Sequence, residues 1–273
     1  RVDLSMGLAF KDAKYFEKAL SEFKNAIKKS SGNNSEPYFN YGFTLSKLEK
    51  YEESNKAYDK CLELIQKENR HIGMNSSVIW NNKGCNYNDL KKYEEAIECY
   101  DRVLSIDENN VGTLYNKGIT LYNLERYTDA LKCYDRVLSI DENNVGTLNS
   151  KGITLDNLER YPDALECYDR VLSIDENDVR ALNGKGSALY NLERYTDALE
   201  CYDRLLSIDE NDVGALNGKG TTLYKLERYT DALECYDRVL SIDENDVDAL
   251  NGKGSALYKL ERYTDALECY DRV

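Results

Sequence analysis

Residues Val111 to Asn144 read VGTLYNKGITLYNLERYTDALKCYDRVLSIDENN, and nearly the same string restarts at Val145, Val179, Val213 and Val247. A fixed 34-residue period means that one unit stacks on the next, and this takes precedence over any local assignment. Within the unit, Val111, Leu114, Gly118, Leu121 and Leu124 recur at steps of three or four, one stripe of a 3.6-residue helix. Ala130, Tyr134, Val137 and Leu138, with Leu131 beside them, define a second stripe. Leu124-Glu125-Arg126-Tyr127 between the two is too short for anything but a tight antiparallel turn. Each unit is therefore expected to be a helical hairpin.

Trp80, Gly84, Tyr87, Ala96 and Tyr100, and one unit later Leu114, Gly118, Leu121, Ala130 and Tyr134, carry most of a known signature at its spacings. In period and in these residues the chain resembles the tetratricopeptide repeat (TPR) family along its whole length. Two places depart from that pattern. The Leu before the glycine is Lys83, Lys117, Lys151, Lys185, Lys219 or Lys253, and the closing Pro is Glu, as in Glu108 and Glu142. Such a lysine must lay its stem along the packed surface and carry its charge outward. The resemblance implies an all-α, right-handed superhelical solenoid of about eight hairpins, the last one truncated. The repeats fall at 1–34, 35–76 with an insertion over 69–76, 77–110, 111–144, 145–178, 179–212, 213–246 and 247–273. The first is a divergent hairpin with Gly7, Phe10, Ala19, Phe23 and Ala26 in register. The insertion reads as a longer second helix and a loop, and its His71 as a solvated side chain. Both ends of the array read as cut, since no terminal capping element is present.

Caps fix the boundaries. Asn110, Asn144, Asp178, Asp212 and Asp246 precede the first helices, where a short polar side chain accepts from free backbone N–H groups. Pro162 follows the turn tyrosine and so marks the first turn of a second helix. Gly118 is expected to face Ala130, two small residues that let the helices of a hairpin approach.

The 273 residues carry a formal charge of −14 and a pI near 4.7, which excludes a phosphate-backbone binder and leaves a basic or neutral partner compatible. Acidic residues recur in every repeat, so the charge is expected to be spread along the chain and to serve solubility. No stretch approaches the ~20 apolar residues needed to span a bilayer. Cys99, Cys133, Cys167, Cys201, Cys235 and Cys269 occupy one repeated place. Packed helices lie about 8–10 Å apart, beyond the roughly 7 Å reach of a disulfide. They read as free packing thiols in a reducing, cytoplasmic setting.

By the resemblance, the first helices line a concave groove at the second, fifth, sixth, ninth, twelfth and thirteenth places of each repeat, counted from Val111. Helical spacing puts these places on one face, opposite the packed stripe. Candidate peptide-binding residues are Asn81, Tyr115, Asn149, Asn183, Asn217 and Asn251 at the fifth place, Asn82 and Asn116 at the sixth, and Tyr122, Tyr190, Tyr224 and Tyr258 at the twelfth. An asparagine offers a donor and an acceptor that match a peptide group, and tyrosine adds contact area at low entropy cost. Glycine at the sixth place, Gly184, Gly218 and Gly252, would let a ligand backbone come close, at about 1 kcal/mol of helix stability each. The basic clamp with which some family members hold carboxylate-terminated chaperone peptides is missing: Arg180 stands nearly alone, with Lys225 and Lys259 at the far ends of their helices.

Two look-alikes fail. Gly214 to Thr221 lacks phosphate-loop spacing and a preceding strand, and Asp175 to Asp178 lacks the ligands and glycine of a calcium loop. With one histidine and no catalytic grouping, no enzyme, cofactor or metal site is expected. The reading is a protein-interaction scaffold that holds an extended peptide or a partner's helix. The alternatives are a structural spacer that stacks end to end on itself, or a recruitment module of a larger enzyme or sensor.

Overall fold

The computed structural model describes residues 2–30, 34–67 and 74–273. Among these, fifteen helices and no strand occur. Helix α1 (Val2–Lys29) is followed by seven hairpins: α2 (Ser35–Lys47) with α3 (Tyr51–Lys67), α4 (Met74–Asp89) with α5 (Tyr93–Leu104), α6 (Val111–Asn123) with α7 (Tyr127–Ile140), α8 (Val145–Asn157) with α9 (Tyr161–Ile174), α10 (Val179–Asn191) with α11 (Tyr195–Ile208), α12 (Val213–Lys225) with α13 (Tyr229–Ile242), and α14 (Val247–Lys259) with α15 (Tyr263–Tyr270). The chain divides into two bodies, Arg1–Ile140 and Asp141–Val273.

Residues 1–34, expected as a hairpin, instead contribute the unbroken α1. Every other hairpin turn opens with a leucine, such as Leu48 or Leu124, and Ala13 holds that place in the first repeat. Alanine pins no turn and is the strongest helix former, so the helix runs through. In the second repeat α3 is longer than its counterparts but ends at Lys67, before the insertion, and insertion residues 74–76 join the following first helix, since α4 starts at Met74. His71 and the expected loop lie outside the described residues.

The turns are uniform. Glu49, Lys91, Glu125, Glu159, Glu193, Glu227 and Glu261 all have φ between 57° and 60°. This left-handed residue lets the next N–H groups reach back, as in Glu125 N–H to the Tyr122 carbonyl (2.8 Å) and Arg126 N–H to that of Leu121 (2.9 Å). The expected caps are in place: Asn110, Asn144, Asp178, Asp212 and Asp246 each accept from the backbone N–H three residues on. Pro162 sits in the first turn of α9.

The core is a chain of small clusters rather than one centre. In the second body Leu199, Leu216, Leu223, Ala232, Tyr236 and Val239 form one such cluster across consecutive hairpins. In the first, Tyr58, Cys61, Leu62, Ile65 and Ile79 form another. Each fully buried leucine contributes about 1.5–3 kcal/mol. The glycine expected to face Ala130 also lies against an aromatic ring, and in the second repeat Ser54, at the place of Ala130, donates to the Gly42 carbonyl (2.7 Å). A Cβ on Gly118 would lie 2.5 Å from Tyr134, and Gly42, Gly84, Gly152, Gly186, Gly220 and Gly254 stand in the same relation to a tyrosine of their own hairpin. The lysines before these glycines are fastened by ion pairs, partly exposed in four repeats, while Lys83 is buried rather than carried outward. Lys83, Lys117, Lys185, Lys219 and Lys253 pair with Asp59, Asp101, Asp169, Asp203 and Asp237 on the preceding second helix.

All eight cysteines are free, and seven are buried. Burial pushes the thiols of Cys85, Cys99, Cys133, Cys201, Cys235 and Cys269 up, Cys99 to about 11, as expected of inert packing groups. Among the described residues no helix is long and apolar enough to cross a membrane, and no group of three or more His, Cys, Asp or Glu could hold a metal ion.

Candidate functional site

In the second body the first helices α10, α12 and α14 enclose a recess of about 470 Å³. Four of the candidate residues line it: Tyr190, Asn217, Tyr224 and Asn251. Tyr190 and Tyr224 are propped by turn tyrosines, with ring centroids 5.6 Å from Tyr195 and 5.4 Å from Tyr229. Such edge contacts hold a ring upright without covering its groove side.

Two tyrosines from second helices floor the recess, and the glycines of the sixth place explain how. A Cβ on Gly218 would lie 2.5 Å from Tyr202 Cζ, and one on Gly252 would lie 2.4 Å from Tyr236 Cζ. Gly184 relates to Tyr168 in the same way. The expectation that these glycines leave room for a ligand backbone is thus corrected: the room is already filled by a ring from the preceding hairpin. The ring carries its hydroxyl through to the groove side. Tyr236 donates to Thr221 Oγ1 (3.3 Å) and Tyr168 donates to Asp156 Oδ2 (2.6 Å). Burial raises the phenol pKa of Tyr202 and Tyr236, so both remain neutral hydrogen-bonding groups at ordinary pH.

The asparagine series does not behave as one ladder. Asn149 is 2% exposed and donates from Nδ2 to the cap Asp178 (3.3 Å), so it is removed from the groove-lining set. Asn217 makes the same bond to Asp246 (3.3 Å) while still lining the recess. The Oδ1 atoms of Asn149 and Asn217 are buried without a hydrogen-bond partner. Asn183 is exposed and does not bond to its cap Asp212, and Asn251 is exposed. Asn149 and Asn217 therefore tie a first helix to the next cap, while Asn183 keeps its amide exposed.

In the first body the candidates are drawn into the fold. Asn81 Oδ1 accepts from Thr113 Oγ1 (3.1 Å), Asn82 donates to the Tyr58 hydroxyl (3.3 Å), and Asn116 donates to Cys85 Sγ (3.5 Å). Tyr115 packs on Tyr134 and Tyr122 on Tyr127, with centroids 6.4 and 5.4 Å apart. Tyr258 is 58% exposed beside Tyr263. These are not brought into the recess.

Asp248, Thr221, Ser255 and Lys225, at the second, ninth and thirteenth places of the expected groove face, also line the recess, as do Tyr202 and Tyr236, which sequence reasoning missed. The two tyrosines read as core by helical spacing. The signal that would have found them is the glycine 16 residues later at the sixth place, Gly218 and Gly252. The charge distribution also departs from expectation. Residues 1–140 hold 21 Lys and Arg against 21 Asp and Glu, and residues 141–273 hold 15 against 29. The whole formal charge of −14 therefore belongs to the body with the recess.

Stacked antiparallel hairpins presenting a lined recess on their first helices define a helical-repeat interaction protein. Tetratricopeptide repeat models match residues 35–68, 77–110, 112–144, 150–213 and 217–273, and the chain belongs to that family. Membership of that family makes it, in general terms, a protein-interaction scaffold. No curated protein matches the chain. Among solved structures, a tetratricopeptide repeat protein from Parabacteroides merdae ATCC 43184 is similar over 87% of this chain and 91% of its own, at 17% identity and a TM-score of 0.72. MamA from Desulfovibrio magneticus RS-1 is similar over 62% and 96%, at 22% identity and a TM-score of 0.59. YrrB, described as a TPR protein with an unusual peptide-binding site, covers 64% and 91% at 22% identity and a TM-score of 0.53. At these identities the likeness is one of fold.

Proposed function

We propose that the second body is a non-catalytic scaffold that holds an extended peptide across α10, α12 and α14, with Tyr190 and Tyr224 as anchors. The observation that carries this reading is where the repeats differ. In the five repeats from Val111, the first helix changes at the second, third, fifth, sixth, ninth, tenth, twelfth and thirteenth places. The turn, second helix and loop change only at Thr128/Pro162, Lys132/Glu166, Val171/Leu205 and Asn144/Asp178. Exposed second-helix residues such as Glu200 and Glu234, or Ser207 and Ser241, are identical. Drift after duplication would scatter over every exposed surface. Here the differences gather on the groove-facing helices, with only the third and tenth places packed inside. A surface diversified in this way suits a ligand whose successive parts differ.

The test is selection of short random peptides on the immobilised full chain, followed by anisotropy titration. Tyr190→Ala/Tyr224→Ala should weaken selected peptides about tenfold or more, as loss of aromatic anchors does. Glu200→Ala/Glu234→Ala on the second helices should leave them unchanged. Equal effects from both pairs, or none from the tyrosines, would remove the ligand from the recess.

A further inference from the structure

Two charges in the recess break the repeat pattern. The second place is Gly112, Gly146, Arg180 and Gly214 in earlier repeats and Asp248 at the recess, and the thirteenth is Asn123, Asn157 and Asn191 before becoming Lys225. Both side chains are exposed, and neither forms an ion pair. That sets them apart from Lys219 and Lys253, which are tied to Asp203 and Asp237, and from Arg228, tied to Asp231. An unpaired cation and an unpaired anion thus face one cavity.

Their placement is informative. Two chain reversals separate α12 from α14, so the first helices run in the same sense. Lys225 ends α12 and Asp248 lies in the first turn of α14. The eleven-place difference along the helix direction amounts to roughly 16 Å, so the two charges stand on opposite lips of the recess. They also differ by one repeat along the stack, about 10 Å for packed helices. An extended strand crossing the first helices advances about 3.3 Å per residue and points alternate side chains to opposite sides. Three residues cover one repeat, and an odd offset sends the two side chains to opposite lips.

We infer that the recess selects an extended peptide segment carrying a Lys or Arg and an Asp or Glu three residues apart, the cation meeting Asp248 and the anion meeting Lys225. Tyr190 and Tyr224 hold the residues between. This rests on the peptide-groove reading and sharpens it. A segment with the same charges two or four residues apart presents both on one lip and satisfies a single partner. The strongly acidic body favours approach of the cationic residue, and added salt weakens that term.

Capped, labelled peptides of Gly, Ser, Ala and Thr containing one Lys and one Glu serve as probes. They place the two charges two, three or four residues apart, in both orders, and are titrated by anisotropy up to about 1 mM. One order of the three-apart pair should bind the full chain roughly two- to fivefold tighter than the two- and four-apart isomers, the range expected of the one exposed ion pair they forgo, and tighter still than the reversed order. The double reversal Lys225→Glu/Asp248→Lys should transfer that preference to the opposite order. Equal binding of every isomer, weakened by Tyr190→Ala/Tyr224→Ala, would leave the groove standing and overturn the charge reading. Failure of every isomer to bind would overturn both.

Discussion

Gly218→Ala should destabilise the chain although alanine is the better helix former. Replacing a helical glycine gains about 1 kcal/mol in propensity. The added methyl, however, would stand 2.5 Å from Tyr202 Cζ, 2.7 Å from Cε1 and 2.8 Å from the hydroxyl oxygen. The ring cannot retreat, because a Cβ on Gly186, in its own hairpin, would already lie 2.8 Å from it. Tyr202 is clamped between two glycines, so α12 itself must move away. Overpacking of this kind costs about 1–3 kcal/mol, and the upper part of that range applies where no side chain can yield. The net expectation is a loss of about 1–2 kcal/mol. Gly112→Ala is the control. Its nearest neighbour is Asn110 Oδ1 at 3.9 Å, so the chain should be unchanged or slightly more stable. Urea unfolding of the full chain by far-UV circular dichroism measures both, fitted with a nearest-neighbour repeat model because such arrays depart from two-state behaviour. Tyr202→Leu removes the ring and should relieve at least about 1 kcal/mol of the Gly218→Ala penalty in a double-mutant cycle. Wild-type stability of Gly218→Ala, or a cycle without coupling, would refute the clamp.

Three further outcomes follow from the same structure. Glu193→Gly replaces a non-glycine residue at φ 59° and should raise stability by about 0.5–1 kcal/mol, read as a higher urea midpoint; a lower midpoint would mean that the turn is not strained. Asp178→Ala removes the acceptor of the Ala181 N–H (2.8 Å) and the Asn149 amide (3.3 Å), and should cost about 1–2 kcal/mol, whereas Asp175→Ala, which loses only the exposed bond from the Asn177 N–H (3.0 Å), should cost clearly less. Burial raises the Asp156 carboxyl above the usual carboxylate range, against the lowering effect of the Tyr168 hydroxyl. A raised folded pKa means that the folded chain holds the proton more tightly than the unfolded one. This group therefore contributes least above its folded pKa and improves as pH falls through it. Asp156→Asn should raise the urea midpoint at neutral pH, and the gain should shrink in acid; a gain that grows in acid would contradict the burial argument.

The architecture was legible because it is written in local chemistry repeated many times. A 34-residue period, a cap such as Asp212 and a leucine at each turn specify hairpins before any contact is known. The first repeat shows the limit of that reading, since the register residues were present while Ala13 stood where a turn needs leucine. The recess was half legible. Tyr190, Asn217, Tyr224 and Asn251 followed from helical face geometry, which requires only position along one helix. Tyr202 and Tyr236 did not, because their rings span from one hairpin to the next. A helical wheel registers such a residue as buried and stops there. The asparagines mark a firmer boundary. Asn149 is followed 29 residues later by Asp178 and bonds to it, and Asn183 stands in the same relation to Asp212 without bonding. The asparagine and the cap are the same residue types in both repeats, so those two places alone do not separate the cases.

That contrast bears on how a duplicated array acquires a site. Copying supplies the same turn leucine, packing glycine and polar cap to each repeat from Val111, so none of these marks one place in the stack. What distinguishes the recess is the small set of substitutions laid over the copies, Lys225 for asparagine and Asp248 for glycine, beside Gly218 and Gly252, which admit the floor tyrosines as Gly184 admits Tyr168. The glycines act on the shape of the recess and the two charges on its lips, and neither alters a second helix or a turn. The scaffold residues that repeat carry stability, and the residues that fail to repeat carry specificity. Exchanging Lys225 and Asp248 for the Asn and Gly of the neighbouring repeat should therefore leave unfolding unchanged while flattening the preference among charged peptides, and a large loss of stability from that exchange would contradict this division of labour.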